Sequence, residues 1–355
     1  VVLWLILGAI FFTLRMGFIN IRGFLHAIEV TAGKYDDEED EGEISHFQAL
    51  SSALSATVGL GNIAGVAIAI AAGGPGAVLW MVVAAFLGMS SKFTEVTLGQ
   101  MYRTVDAEGR ISGGPMHYLE KGIKDLKLGP FGDMLGKGLA VLFAVMCIGA
   151  SLGGGNMFQA NQAFAAVADV VPWLADKPWF FGIALAFAVG LVIVGGIKRI
   201  GAATSAIVPL MCGMYLVAGV WILGVNIENL PNAFQTILDG AFTADGLKGG
   251  VIGVIVQGFQ RASFSNEAGV GSASIAHSAA STSEPVREGI VALLEPFIDT
   301  IIVCTMTGLV VVVTGVYESG DADGVLMTSR AFATVFSWFP IVLSIAVVLF
   351  AFSTM

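Results

Sequence analysis

Two glycine-rich polar stretches interrupt long apolar runs of this chain, and they hold the residues best suited to binding a ligand. The first is Val-Gly-Leu-Gly-Asn at 58–62, and the second is Phe-Ser-Asn-Glu-Ala-Gly-Val-Gly-Ser at 264–272. A helix that crosses a bilayer satisfies its own backbone hydrogen bonds, and unwinding it exposes N–H and C=O groups that need new partners. Broken helices of this kind, one in each half of a membrane protein, are typical of an ion or substrate site at the membrane midplane.

Composition favours an integral membrane protein. The mean hydropathy is +0.83, 56% of the residues are hydrophobic and 12% are charged, whereas an average soluble chain has about 25% charged residues. We interpret residues 1–355 as one transmembrane domain and expect the acidic run at 36–41 to be a solvated loop. The sequence has no basic stripe with interleaved aromatic residues, which excludes nucleic-acid binding, and its three cysteines lack disulfide or metal spacing.

The pattern of apolar runs predicts nine membrane segments. A short interfacial helix is expected near 111–118, and polar loops at 20–46 and 226–249. Glycines at 153–155 are expected to interrupt the fourth segment. Lys198-Arg199 is expected to connect the fifth segment to the sixth. The predicted segments are 1–19, 47–72, 77–101, 138–168, 179–197, 201–225, 250–279, 289–316 and 331–355.

The placement of positive charge predicts the orientation. With the N-terminus outside, all but four of the 17 lysines and arginines lie on the cytoplasmic side, including Lys92, as the positive-inside rule requires. Lys177, Lys248 and Arg330 fall outside, and Arg261 lies within a segment. We therefore expect a multi-pass protein of the plasma (inner) membrane with an external N-terminus.

Segments two to six form a group of five helices that begins with a broken helix, and segment seven begins a second group of opposite orientation. This arrangement is typical of two inverted repeats, the first at 47–225 and the second at 250–355, preceded by an extra helix at 1–19. The chain starts and stops inside apolar runs, so we interpret it as a fragment in which the second repeat is incomplete.

Several motifs resemble the signatures of the alanine or glycine:cation symporter family (sodium:alanine symporters), within the amino acid–polyamine–cation superfamily. They cover the whole chain in order. The motifs are Gly-Leu-Gly-Asn-Ile-Ala-Gly-Val-Ala at 59–67, Gly-Gly-Pro-Gly-Ala at 73–77, Gly-Gly-Pro at 113–115, Asn-Met-Phe-Gln-Ala-Asn at 156–161, residues 264–277 and Ala-Phe-Ser-Thr-Met at 351–355. The resemblance implies a sodium-coupled importer of small neutral amino acids such as alanine or glycine. It also implies an all-α, LeuT-like fold of five plus five helices.

The first break suits the carboxylate of an amino acid. A half-helix that restarts at Gly61-Asn62 presents free N–H groups and a positive dipole end, and glycine lets a substrate approach the backbone. We expect the N–H groups of Leu60 and Gly61 to bind the carboxylate, with the side chains of Asn62 and Gln159 as helpers. The alternative is that Gly59 and Gly61 only permit close helix packing.

The resemblance implies two sodium positions. The Thr57 carbonyl and the Asn62 side chain belong to one. The other sodium position joins the first broken helix to the ninth segment. The alternative is that the hydroxyls at this position only donate hydrogen bonds to carbonyls of their own helix. The ligands at this position are Ser55, the carbonyls of Val58 and Ala351, and the hydroxyls of Ser353 and Thr354. Sodium is thus the co-transported ion, and the sequence does not give its stoichiometry.

The second break should face the same cavity. Phe264 is expected to cap the substrate side chain, or else to be ordinary core. The Ser265 carbonyl or hydroxyl is expected to bind the ammonium, and Asn266 is expected to face the cavity. Arg261 and Glu267 are costly at this depth and therefore functional candidates; we favour a gating role over direct substrate contact. Glu295 and Asp299 are weaker candidates, and His277 is expected near the cytoplasmic end.

Three other classes of protein are alternatives to a sodium-coupled symporter. A proton-coupled amino-acid carrier would use Glu267 as its relay. A channel is disfavoured by the paired broken helices. An enzyme is not expected, because the sequence shows no Ser-His-Asp or His-Glu-x-x-His arrangement. The preferred amino acid, the preference for the D or L form and the oligomeric state are not determined by the sequence.

Overall fold

The protein is almost entirely helical in this computed structural model, which describes residues 2–37, 39–243, 250–320 and 324–355. The only strands in these ranges are a short antiparallel pair, β1 (Thr104–Val105) and β2 (Ile111–Ser112). Lys248 and part of the acidic loop, Glu38, lie outside the described residues. The helices of the first half are α1 Val2–Arg15, α2 Ile19–Arg22, α3 Phe24–Thr31, α4 His46–Thr57, α5 Val66–Gly73, α6 Ala77–Met101, α7 Pro115–Asp125, α8 Gly129–Ala150 and α9 Gln159–Val170.

The second half continues with ten further α-helices. They are α10 Pro178–Ile193, α11 Gly196–Val225, α12 Leu230–Phe242, α13 Gly250–Asn266, α14 Ala273–His277, α15 Pro285–Val291, α16 Leu294–Pro296, α17 Thr305–Val313, α18 Gly324–Ala333 and α19 Phe339–Thr354. Short 3₁₀ turns occur at Pro172–Leu174, Ile227–Asn229 and Val316–Ser319.

Three π-helical stretches continue or restart the helices. They are Gly61–Gly65 before α5, Ser151–Phe158 between α8 and α9, and Phe297–Cys304 between α16 and α17. In a π-helix the backbone bonds shift from i−4 to i−5, which widens the turn, and such insertions are frequent at functional sites. All three contribute residues to the region around the two breaks.

Several helices are long and apolar enough to cross a bilayer. Among the residues that the structure describes, four single helices meet this test, at 77–101, 129–170, 196–225 and 285–313. The pair His46–Thr57 and Gly61–Gly73, bent by 52°, meets it as one broken span. The shorter helices α1, α10 and α19 are also apolar. Large apolar side chains on α1 and α8 are exposed, such as Trp4 (79%) and Val141 (64%), as expected for surfaces that face lipid. The protein is therefore an all-α, multi-pass membrane protein.

The core lies where α11, α17, α18 and α19 meet. Tyr215 is 1% exposed, and its ring stacks on Phe332 at 5.7 Å and meets Phe350 edge-on at 5.8 Å. Its hydroxyl lies 2.6 Å from the hydroxyl of Thr307, which satisfies its polar end in an apolar setting. This packing holds α19, the last helix, against the interior of the bundle.

Helices lie at the predicted segments, with corrections to their ends, and the count of nine membrane spans stays a prediction. Ala77–Met101 has the predicted bounds. The short helix expected near 111–118 is α7, which begins only at Pro115, because Ile111–Ser112 form β2. The prediction of an interrupted fourth segment was wrong, because Ser151–Phe158 stays helical as a π-stretch. The fifth and sixth segments join at Val194-Gly195, so Lys198-Arg199 lies inside α11 rather than in the connection.

Two further boundaries were wrong. The polar region at 226–249 contains the helix α12, whose proline at its first turn and strongly amphipathic pattern favour a helix at a surface. The ninth segment does not start at 331, because residues up to Ala333 belong to α18 and the last helix begins at Phe339, next to a proline. The proline ring fixes the backbone angle that suits a first helical turn.

A cavity between two broken helices

The first break lies at residues 58–60, between α4 and the π-helix, as predicted. Its freed N–H groups are bonded to side chains: Gly59 donates to Asn62 Oδ1 at 2.8 Å, and Leu60 donates to Gln159 Oε1 at 3.0 Å. Ser45 begins α4 with a capping box, exchanging hydrogen bonds with Gln48, and so fixes the start of the broken helix. The N–H groups that the unwound segment exposes are therefore bonded to amide side chains.

Gly59 is required by close packing. A Cβ atom built on it would lie 2.4 Å from Thr354 Oγ1 and 3.2 Å from Gln159 Oε1, and the first distance is shorter than any contact that a real side chain tolerates. The first break is therefore pressed directly against α19 and α9. Absence of a Cβ is what permits this approach.

The second break lies at residues 267–272, between α13 and α14. It starts later than predicted, because Phe264, Ser265 and Asn266 still belong to α13. The helix ends where Glu267 takes a left-handed conformation with φ of 52°, which is uncommon for a residue other than glycine. Ser272 donates its hydroxyl hydrogen bond to the Glu267 carboxylate.

A carboxylate on α6 holds the second break. Glu95 Oε2 accepts the backbone N–H groups of Gly269 and Gly271, each at 3.1 Å. Hydrogen bonds to an ionised acceptor are about twice as strong as neutral ones. The unwound segment is therefore fastened to α6 through a side chain that the sequence motifs did not single out.

Asp299, in the third π-stretch, connects the π-helix that follows the first break to the end of α13 that precedes the second. Its carboxylate accepts hydrogen bonds from Asn62 Nδ2 at 2.7 Å, from the Ser265 hydroxyl at 2.9 Å and from the Thr300 hydroxyl at 2.5 Å. Asn62 Nδ2 also lies 2.8 Å from the Asp299 carbonyl. A movement of either break therefore changes the surroundings of the same carboxylate.

A cavity of about 800 Å³ lies between the breaks. Its wall combines apolar side chains of α8, such as Leu142 and Met146, with polar groups from both breaks and from α19. Phe264 meets Phe158 edge-on at 5.3 Å and forms an aromatic part of this wall. The residues predicted from sequence that line it are Thr57, Gly61, Gln159, Phe264, Glu267 and Thr354.

The predicted substrate residues thus divide into two groups. Gly61, Gln159 and Phe264 line the cavity, whereas the others are buried behind it. Asn266, for example, donates to the Thr300 hydroxyl at 3.0 Å and accepts the N–H of Ala268. The buried group is Leu60, Asn62, Ser265 and Asn266.

The predicted sodium residues gather around the contact between α4 and α19. Ser55 and Ser353 line a second cavity of about 490 Å³, and Thr354 lines both cavities; Val58 and Ala351 are fully buried. The hydroxyls of Ser353 and Thr354 donate to the Phe350 carbonyl, both at 3.0 Å. Back-bonding therefore occurs, and because the hydroxyl acts as donor, its oxygen lone pairs stay free for a cation.

Comparison with known sequences decides the family. The profile described as "Sodium:alanine symporter family" matches residues 1–355. The chain belongs to the sodium:alanine symporter family. It is 45% identical over 355 residues to the sodium/alanine symporter AgcS of Methanococcus maripaludis, which covers 99% of this chain and 76% of that protein. It is 36% identical over 347 residues to the amino-acid carrier protein AlsT of Bacillus subtilis, which covers 97% and 70%.

Membership of the sodium:alanine symporter family gives the class of activity. The protein is a sodium-coupled amino-acid symporter and not an enzyme, and sodium is the ion that it carries with its substrate. The resemblance found in the sequence motifs is confirmed.

The two predicted gating residues do not pair with each other. Glu267 lines the cavity and bonds to Ser272, while Arg261 is half-buried on α13, and its Nε has no hydrogen-bond partner within the described ranges. Their role as a gate stays a prediction.

A buried network of ionisable side chains also lies beside the second break. Lys92 is fully buried, and its Nζ lies 2.7 Å from Glu295 Oε1 and 3.6 Å from Glu95 Oε1. Lys92 therefore lies in the packed interior of the bundle, on α6, rather than at a solvated end of that helix; its position on the cytoplasmic side stays a prediction. His277 is fully buried too, with Nδ1 2.5 Å from Glu288 Oε1. The available signal was the presence of charged residues within apolar segments, which marks functional positions in membrane proteins.

Proposed function

We propose that the cavity between the two breaks binds alanine or another small neutral amino acid and opens alternately to the two sides of the membrane. The observation that carries this proposal is the cavity itself, whose wall combines Gly61, Gln159 and Phe264 from separate elements. Backbone N–H groups, an amide and an aromatic ring together supply partners for the carboxylate and side chain of an amino acid.

The carboxylate binds at the first break. Gln159 Oε1 accepts the N–H of Leu60 at 3.0 Å, which is the kind of contact that a substrate carboxylate oxygen would make. Rotation of the Gln159 side chain frees this N–H and leaves its amide to donate to the same carboxylate. The adjacent Gly61 N–H and the positive end of the following helix complete the site.

The ammonium and side chain lie toward the second break. Ser265 lies behind the cavity wall, 2.9 Å from the Asp299 carboxylate, and this carboxylate draws the ammonium toward the end of α13 that Ser265 and Asn266 form. The edge-on pair of Phe264 and Phe158 limits the room for the substrate side chain. This aromatic pair in the cavity wall favours alanine and glycine over amino acids with larger side chains.

Sodium binds where α4 meets α19. Ser55, Val58, Ala351, Ser353 and Thr354 supply its oxygens, and a second position uses the Thr57 carbonyl and Asn62. A sodium ion between α4 and α19 joins the broken helix to the last helix, and this contact orders the carboxylate site. The coupling is reciprocal: substrate must raise sodium affinity by the same factor.

The fold that suits this mechanism has five plus five inverted-repeat helices, with 47–225 as the first repeat, 250–355 in the second and 1–19 as an added helix. The distribution of lysine and arginine supports an external N-terminus in the plasma membrane, with Lys92 removed from the count. Arg261 and Glu267 act as gate residues at the second break. Alternating access then moves one repeat against the other.

A proton-coupled carrier is the second candidate, because Glu267 is a carboxylate that lines the cavity. Replacement Glu267→Gln separates the two candidates. It abolishes the pH dependence of uptake if protons drive transport, and it leaves sodium dependence in place if sodium does.

The experiment is uptake of radiolabelled alanine into liposomes that contain the protein, with sodium, lithium or potassium outside at fixed pH. We expect uptake only with sodium, and its loss in Thr354→Ala. The matched control is Thr236→Ala, since Thr236 lines neither cavity and makes the same hydrogen bond to the carbonyl four residues earlier. Uptake that ignores sodium and follows a pH gradient would contradict the proposal.

A further inference from the structure

The buried ionisable side chains beside the second break form one continuous chain. Beginning at the surface, Asp36 Oδ1 lies 3.9 Å from His46 Nε2, and His46 Nδ1 contacts Glu288. Glu288 Oε1 lies 2.5 Å from His277 Nδ1. Asp36 is 53% exposed, whereas His46 is 2% and Glu288 and His277 are 0% exposed.

The chain continues from His277 to the unwound segment. His277 Nε2 lies 3.8 Å from Glu295 Oε2, and Glu295 Oε1 lies 2.7 Å from Lys92 Nζ. Lys92 Nζ is 3.6 Å from Glu95 Oε1, and Glu95 Oε2 accepts the N–H groups of Gly269 and Gly271. Successive polar groups thus run from a solvated loop to the wall of the substrate cavity.

The charges at the inner end do not balance without a proton. Three carboxylates, Glu95, Glu267 and Glu295, face the single fixed cation Lys92. A protonated His277 supplies one more positive charge and leaves one negative charge uncompensated. Burying such a charge is costly, and the group takes up a proton instead.

The other side chains packed around Glu95 do not change this net charge. Tyr118 faces it from α7 and is neutral in its ordinary state. His46 contacts Glu288, and the Arg103 guanidinium lies near the same carboxylate, at the end of the network nearest Asp36.

Several polar atoms of the network lack partners. Within the described residues, Glu95 Oε1, Glu295 Oε2 and the Nε2 atoms of His46 and His277 are buried without a hydrogen bond. Buried polar groups in proteins are nearly always bonded, so orphaned atoms indicate bound water or added protons. Both would let a proton move along the chain.

We propose that Glu95, supported by Lys92 and Glu295, is a buried proton-binding site that is loaded from the Asp36 surface and controls the second break. With Glu95 ionised, its oxygen holds the N–H groups of Gly269 and Gly271 by charge-assisted bonds. A proton on Glu95 weakens these bonds and releases the segment, so that the wall of the cavity moves more readily. The expected effect on uptake rests on the proposed transport function, whereas the proton site itself does not depend on that function.

The test uses the protein in liposomes, with Glu95→Gln as the main variant. Glutamine keeps an oxygen for the two N–H groups but cannot take up a proton. Infrared difference spectra between acidic and alkaline buffer report a protonated carboxyl group directly, without any transport. We expect the wild type to show this carboxyl band and Glu95→Gln to lack it.

Uptake provides the second readout. We expect wild-type alanine uptake, at fixed sodium, to rise on acidification of the Asp36 side by up to about tenfold per pH unit. Glu95→Gln should stay at the acidic wild-type rate at every pH. A carboxyl band or a pH profile in Glu95→Gln that matches the wild type overturns the proposal. Absence of sodium-dependent uptake in the wild type instead contradicts the proposed function, and the infrared result still decides the proton site.

The surface end is tested by Asp36→Asn, with Asp37→Asn as the matched control. Both remove one charge from the same exposed loop, but Asp37 bonds to the backbone of Glu39 rather than approaching His46. After a pH jump, the carboxyl band should appear about tenfold more slowly in Asp36→Asn, as a barrier higher by about 1.4 kcal/mol gives. Equal rates in the two variants overturn the route, and this comparison stands even if Glu95→Gln fails to fold.

Discussion

Two lysines in this protein make ion pairs of the same length in opposite surroundings, and their replacement by methionine gives a sharp prediction. Lys92 Nζ lies 2.7 Å from Glu295, with both side chains fully buried; Lys34 Nζ lies 2.7 Å from Glu29, with the side chains 57% and 45% exposed. The two ion pairs therefore have the same N–O distance and differ in how deeply their side chains are buried.

The expected magnitudes follow from burial. Lys92→Met keeps the apolar stem but leaves Glu295 and Glu95 buried without their cation. Removing one partner of a buried pair costs about 3–5 kcal/mol, which is roughly a hundredfold to a few thousandfold in the folding equilibrium. Lys34→Met removes an exposed pair that solvent already screens, so we expect little measurable loss.

The assay is reversible unfolding in mixed micelles, followed by circular dichroism, for both variants and for Lys92→Met combined with Glu295→Gln. We expect the double variant to recover part of the loss, because the uncompensated carboxylate is gone. Equal losses for Lys92→Met and Lys34→Met would refute the assignment of Lys92 to the interior. A double variant less stable than Lys92→Met would contradict the electrostatic reason.

Three further predictions concern the cavity. Asn62→Ala should abolish sodium-dependent alanine uptake and lower thermal stability, because three short hydrogen bonds to buried groups are lost; Asn161→Ala, at an exposed position, should resemble wild type in the same assays. Gly59→Ala should abolish uptake, since the new methyl group overlaps α19, whereas Gly138→Ala meets no atom within 4 Å and should leave uptake unchanged. Phe264→Ala should let larger neutral amino acids compete with alanine, measured by inhibition of labelled uptake, and an unchanged ranking of competitors would contradict its role in the wall.

The first break could be predicted from sequence because its signal is local. Glycines at 59 and 61 next to Asn62, inside an apolar run, interrupt the helix pattern that surrounds them. The second break was placed three residues early, since its start depends on the left-handed conformation of Glu267. Glutamate rarely adopts this conformation, so nothing in the residue types marked the position.

The buried network could not be predicted, because its members are far apart in sequence. Lys92 and Glu295 are separated by 203 residues, and a lysine in the second half of a long helix looks like a residue at the membrane surface. Only the packing of α15 and α16 on α6 brings them together. The same holds for Asp299, which accepts hydrogen bonds from Asn62, after the first break, and from Ser265, before the second.

The start of the last helix shows a different limit. The hydropathy pattern assigned residues 331–338 to the final membrane segment, because Ala331, Phe332 and Val335 are as apolar as the residues that follow. The structure ends α18 at Ala333 and starts α19 at Phe339. Hydropathy reports depth in the membrane and does not report where the backbone turns.

Alanine uptake by the protein in liposomes tests the central claim most directly. Sodium outside should drive uptake that neither potassium nor lithium supports, and alanine should in turn raise the affinity for sodium by the factor that sodium raises the affinity for alanine. An alanine affinity that is the same with and without sodium would contradict the account, because the cavity would then be complete without the ion.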